Sequence, residues 1–258
     1  MKSDRMEWDL PYTVHHAFDL AGPRNFRLKL ETGVRNGDCL PGCFVAMLEA
    51  LHRGCITSRN LQPAAAKMRK CLVGWITKNW TTFPIFNLEM QVHELMALTH
   101  DAGATAKERQ KAGPWPEDPE ERLARYVAAS DRLYMSDAEM LCFSCWMYER
   151  GVPVCFRTWR CTGTGGATGQ FVSATPNPEF MKAMGVTEAV IVDLDHSGTR
   201  DSRTAHFKIL DSASLQGLTN VVKVARPRPA SDSSASNPVR RRLLGGAEAG
   251  SSSGDAGE

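Results

Sequence analysis

No run of about 18 apolar residues occurs in this 258-residue chain, so no segment reads as a membrane-spanning helix. The first thirty residues mix polar and apolar side chains and lack a signal-peptide core. Neither sign of charge dominates: 31 basic and 29 acidic side chains leave a formal net charge of +2, which argues against a general nucleic-acid binder. No internal repeat is apparent. The eight cysteines, with no leader before them, fit a reducing compartment better than a disulfide framework, and the expected location is cytoplasmic.

Two further signatures are incomplete. Cys142-x-x-Cys145 with Cys155 and Cys161 has the count of a zinc site, but the second pair lacks tight spacing and the first lies in an apolar capped helix. These thiols are read as core, with no metal and no cofactor expected. The loop Cys161-Thr-Gly-Thr-Gly-Gly-Ala-Thr-Gly169 lacks the GK[ST] ending of a phosphate-binding loop and reads as a mobile hairpin connection.

What is present is enough apolar material for a core: 42% hydrophobic residues, with six Trp and ten Phe. Leu10–Phe18 is apolar and aromatic, and Phe26–Leu30 alternates as a strand. Asn36-Gly37 breaks that strand. Asp38 is a candidate helix N-cap, and Phe44, Met47, Leu48 and Leu51 follow at helical spacing until Gly54. A second helix starts near Pro63 and carries Met68, Leu72, Trp75 and Ile76 on one face; a third follows the N-cap Asp118 and Pro119. Ser136-Asp-Ala-Glu139 is a capping box that opens a nearly all-apolar helix ending at Gly151. Strands are expected at Pro153–Phe156, Gln170–Ser173, Ala189–Asp193 and Ala205–Leu210. Helices first and strands later indicate an α+β fold.

The chemistry centres on VRNGDCLPGCFVAML, residues 34–48, where Cys39 falls in the first turn of a helix. Exposed N–H groups and the helix dipole stabilise a thiolate there, and the preceding turn can aim backbone N–H groups at an oxyanion. A small buried cysteine that merely begins a helix is the competing interpretation. A thiol nucleophile needs an imidazole. His206, at the start of the strand AHFKIL, is the best-placed candidate, and His196, in the preceding loop 195–204, competes with it. The other five histidines suit surface or packing roles.

The order of these parts resembles the ovarian tumour (OTU) family of cysteine proteases, many of which remove ubiquitin. Asn36-Gly37-Asp38-Cys39 looks like the family's Asp-Gly-Asn-Cys with its two polar residues exchanged, and His206-Phe207 looks like its late His-aromatic pair. KMRKCLVGWITKNWTTFPIF and YMSDAEMLCFSCWMYERGVPVCF resemble the family's second long helix and its core helix running into a strand.

The resemblance covers roughly residues 25–215. It implies a papain-related fold with a small central, mostly antiparallel sheet between helical lobes, with Cys39 as nucleophile and an oxyanion loop at Asn36, Gly37 and Asp38. Ubiquitin or a ubiquitin-like protein is the implied partner, in the host cytoplasm for a viral source. The family commonly carries Asp or Asn two residues after the His, where this chain has Lys208. Asp195, Asp201 or a residue before Cys39 could substitute, or a Cys/His dyad could act, as in some viral relatives. A catalytically inactive ubiquitin-binding or interaction module is the alternative.

The expected organisation is an N-terminal extension at 1–24, a catalytic domain at 25–224 and a disordered tail at 225–258, where Arg, Pro, Ser, Gly and Ala dominate. Within the tail, Arg240-Arg-Arg-Leu243-Leu244-Gly245-Gly246 resembles the Leu-Arg-Gly-Gly end of ubiquitin and the sites cut by viral papain-like proteases. A polyprotein self-cleavage after Gly246 and a basic nuclear-import signal are the two readings of this segment. About 70 Å of extended chain separates Ala225 from Gly246, enough to reach a groove on the same domain.

Overall fold

The computed structural model describes residues 9–13, 24–26, 29–30, 32, 34, 37–53, 60–81, 90–103, 113–131, 133–162, 167–183, 185–197 and 206–210. All belong to one compact unit, Met1–Arg226. The tail, Asn36 and Asp201 lie outside the described residues.

Three short strands, β1 (Asp9–Thr13), β2 (Arg24–Phe26) and β3 (Lys29–Leu30), precede the helices α1 (Cys39–Arg53), α2 (Gln62–Lys78), α3 (Val92–Gly103), α4 (Pro119–Ala129) and α5 (Asp137–Glu149). Strands β4 (Val154–Thr162) and β5 (Ala167–Thr175), the one-turn-and-a-half helix α6 (Pro178–Ala183), β6 (Glu188–Ser197) and β7 (His206–Leu210) complete the order. The result is α+β with one mixed seven-stranded sheet in the order β2-β5-β4-β6-β7-β3. Only the β4–β6 pair is parallel among the described ladders. β1 pairs with Glu188–Ile191 and β7 with Asp193–Ser197, so the two share one edge of β6 in succession. A strand from the expected N-terminal extension is therefore part of the sheet.

Local signals account for most helix starts. The Asp118 carboxylate accepts from the Glu120 and Glu121 N–H groups, and Pro119 supplies a pre-set φ at the first helical position. Ser136 and Glu139 form the expected capping box at α5. Before α1, Gly37 adopts φ +79°, and the Asp38 carbonyl accepts from the Gly42 N–H to begin the helix. Gly42 has a packing reason: a Cβ there would lie 2.8 Å from Val34 Cγ2, so only glycine lets the incoming segment lie against the helix.

Alternation along the strands divides the sheet into two faces. Phe156, Val190, Val192, Leu194, Phe207 and Ile209 join the main core with α1, α2 and α5. The long helices gather on that face, rather than forming lobes on both sides. The other face is covered by smaller clusters, one around Cys155 and Met181 of α6 and one of Phe26, Trp159 and Leu210. It also carries a buried bidentate pair: Arg157 Nε and Nη2 each donate at 2.6 Å to the Asp193 carboxylate, which also accepts from Trp159 Nε1 at 2.7 Å. Removing one partner of such a pair typically costs about 3–5 kcal/mol, because the other charge stays buried without compensation.

The strands run longer than their sequence pattern suggests. β4 extends to Thr162 and β5 begins at Ala167, so both ends of the glycine-rich segment are strand, in two antiparallel partners. β6 continues through Asp195 and His196, which pair with Lys208 and Phe207. By sequence both fall in the loop 195–204; ladder hydrogen bonding and burial of Asp195 hold them in the sheet. Helix α3, absent from the sequence-based expectation, starts where the Glu94 carboxylate accepts from the Gln91 N–H at 2.8 Å.

Glu139 of α5 is wholly buried and accepts from the Ser136 N–H and hydroxyl at 2.8 and 3.0 Å, and from His100 Nε2 at 2.8 Å. Burial alone would raise its pKa, but the His100 and Ser136 interactions outweigh it, and the pKa lies below its ordinary value of 4.5. A depressed carboxylate adds stability that is present above the ordinary pKa and lost as the pH falls through the folded one. Resistance to urea should therefore fall in acid, and Glu139→Gln should flatten that dependence below about pH 4.5 while lowering stability at neutral pH.

Candidate active site

Cys39 is the first residue of α1, as the turn chemistry predicts, and is 3% exposed. Its Sγ–H donates to the Tyr134 hydroxyl across 3.3 Å. Tyr134 lies in the connection between α4 and α5, is 37% exposed, and stacks on Phe207 at a centroid distance of 6.3 Å. Phe207 in turn stacks on His196 at 4.5 Å and 7°. A continuous line of contacts thus runs from the thiol to the β6–β7 ladder, on the face where α1 packs against β7.

The turn before Cys39 is clamped by Arg69, a buried residue of α2. Its Nε donates to Asp38 Oδ1, and its Nη2 donates to the Gly37 carbonyl at 2.7 Å. Its Nη1 donates to the carbonyls of Ser130 and Leu133 at 2.8 and 2.7 Å. Gln62 Nε2 donates to the second Asp38 oxygen at 3.2 Å. One guanidinium therefore ties the turn that presents Cys39 to the segment that presents Tyr134, using the planar fork geometry that lysine lacks.

The predicted residues fall into separate places. Gly37 and Asp38 of the expected oxyanion loop adjoin Cys39, with the Gly37 carbonyl and the Asp38 carboxylate held by Arg69. His206 begins β7, its backbone paired with Ser197 and followed by Phe207. His196 brings its ring to the α1 face through Phe207. Asp195 occupies the opposite face of β6, buried, accepting from the Cys161 N–H at 3.1 Å and standing across the ladder from Lys208. That position separates Asp195 from Cys39 by the thickness of the sheet.

Other cysteines have simpler surroundings. Cys43, one turn after Cys39, is wholly buried, and burial followed by the Cys39 charge pushes its thiol well up. Burial does the same to Cys142 and Cys145, both in the main core. Among the described residues no group of three or more His, Cys, Asp and Glu could hold a metal ion. His93 is buried against Arg122 and Gln91; burial, then the Arg122 charge, lowers its pKa, as suits a neutral packing histidine.

Comparison of the chain with family models, curated proteins and solved structures gives no match. The chemistry therefore rests on the residues alone.

Neither Arg69 nor Tyr134 stands out as a site residue in the sequence. Arg69 had a usable signal: it falls with Ala65, Leu72 and Ile76 on the buried stripe of α2, where a charged residue demands partners. Tyr134 had none, because an irregular segment carries no periodicity. Arg69→Met should lower stability by about 3–5 kcal/mol, read by urea unfolding, because Asp38 loses its buried partner and three carbonyls lose donors. It should also slow alkylation of Cys39 by loosening the turn that orients it.

Proposed function

We propose that this chain is a thiol hydrolase of OTU-like layout, acting on peptide or isopeptide bonds after a Gly-Gly sequence. The observation that carries this reading is Cys39 at the first residue of a helix, beside a hydroxyl and behind a turn held by a buried arginine. A helix N-terminus favours the sulfur anion, and a rigid turn avoids reorganisation as charge develops.

In the proposed cycle an imidazole takes the Cys39 proton. The sulfur then attacks the carbonyl carbon and the C=O π pair moves to oxygen. Collapse expels the amine, which takes the proton from the imidazolium and leaves a thioester. Water, deprotonated by the same imidazole, releases the carboxylate and regenerates the thiol. The imidazole belongs to the β6–β7 ladder: His206 fits the order of the family, while His196 has the ring that reaches the α1 face through Phe207. Ubiquitin or a ubiquitin-like protein supplies the Gly-Gly end in trans, and Leu243-Leu244-Gly245-Gly246 is the matching sequence within the chain.

Two observations favour a second reading as an interaction module without catalysis. Cys39 is almost wholly buried beside Tyr134, and Lys208 occupies the position where the family orients its histidine.

A ubiquitin probe with a thiol-reactive C-terminal group separates the two. The active enzyme forms an adduct at neutral pH that Cys39→Ala abolishes. Replacing whichever histidine is the base, in His206→Ala or His196→Ala, slows the adduct about 10²–10⁴-fold, and replacing the other does little. Incubation of the full chain should also release residues 247–258, read by intact mass, in wild type and not in Cys39→Ala. Absence of both adduct and mass change leaves the interaction module.

A further inference from the structure

We propose that Tyr134 is a third working side chain at this site, its hydroxyl donating a hydrogen bond to the Cys39 sulfur once that thiol has given up its proton. The inference deepens the thiol-hydrolase reading and rests on it for its role in turnover. In the protonated state Cys39 Sγ–H donates to the Tyr134 oxygen at 3.3 Å. Loss of that proton to an imidazole leaves a sulfur acceptor at the same place. A hydroxyl rotor can then reverse the bond with no movement of heavy atoms. The phenol proton stays on its own oxygen throughout, and no bond to Tyr134 forms or breaks.

Position supports the assignment from three directions. Arg69 Nη1 holds the Leu133 carbonyl immediately before Tyr134, and the capping box fixes Ser136 immediately after Met135. The ring itself stacks on Phe207 of β7, the strand that begins with His206. The hydroxyl is therefore preorganised, with its distance to sulfur set by the same guanidinium that sets the Cys39 turn.

The ionisable surroundings leave Tyr134 as donor. Burial first, and then the Cys39 charge, push its phenol well above the usual range, so it does not compete as an acid. Cys43 faces the same region from the next turn of α1, its thiol also pushed up by burial. Asp38 and Arg69 satisfy one another at the turn, and His196 approaches from β6 across Phe207. His206 begins the neighbouring strand β7.

The test compares the full-length chain with Tyr134→Phe, which keeps the ring and removes the hydroxyl. Iodoacetamide labelling is followed against pH by mass spectrometry of the Cys39 peptide, since Cys71 is exposed and will also react. The expected result is a midpoint for Cys39 about one pH unit higher in the variant, and labelling about tenfold slower at neutral pH. A purely structural role would lower the melting temperature without moving the midpoint, and an unmoved midpoint overturns the proposal. A fluorogenic amide ending in Gly-Gly supplies the second arm. Turnover by wild type with an unmoved midpoint keeps the hydrolase and removes Tyr134 from it. A shifted midpoint without turnover supports the hydroxyl–sulfur coupling and rejects the hydrolase reading.

Discussion

The Arg69 guanidinium is the constraint on which the site depends. It sits on the buried stripe of α2 and reaches four acceptors in two segments distant in sequence: Gly37 and Asp38 before α1, and Ser130 and Leu133 between α4 and α5. A buried cation is tolerable only when paired and fully hydrogen-bonded, so the folded chain must bring both segments to it. Cys39 and Tyr134 then meet because each follows directly after a residue that Arg69 holds. The same requirement explains why Asp38, although its backbone begins α1, turns its carboxylate toward α2.

The sheet contributes a second constraint by separating its two faces. Side chains alternate, so His196 and Phe207 point toward α1 while Asp193, Asp195 and Leu210 take the other side. Asp195, next to His196 in sequence, therefore lies on the opposite face of the sheet from that histidine and from the α1 side where Cys39 sits. The Arg157–Asp193 pair with Trp159 locks β4 and β6 in their parallel register, and with it the register of β7 on β6.

Local chemistry was legible wherever it acts over a few residues. Asp118 with Pro119, the Ser136–Glu139 box and the Gly37 turn before Cys39 are interactions within one helical turn, and each is present where the residues indicate. The burial of α5 followed from its nearly uninterrupted apolar run, and Cys142 and Cys145 are accordingly core residues. Strand lengths were less legible. Asp195, His196 and Gly169 look like loop residues by type, yet they are held by partners on other strands. Gly169 shows why: a Cβ there would stand 2.8 Å from Phe26 Cε2, a contact no local pattern contains.

By itself the sequence determined the α+β class, most helix starts and the position of Cys39 at a helix N-terminus, because these depend on hydrogen bonds and dipoles within a few residues. Only the tertiary structure decided that Tyr134 is the hydroxyl beside the thiol, that Arg69 joins the two segments, and that Asp195 is on the far side of the sheet. Those outcomes depend on strand register and on where a buried charge finds its acceptors. The residues concerned are separated by tens of positions in the chain and meet only when the core closes.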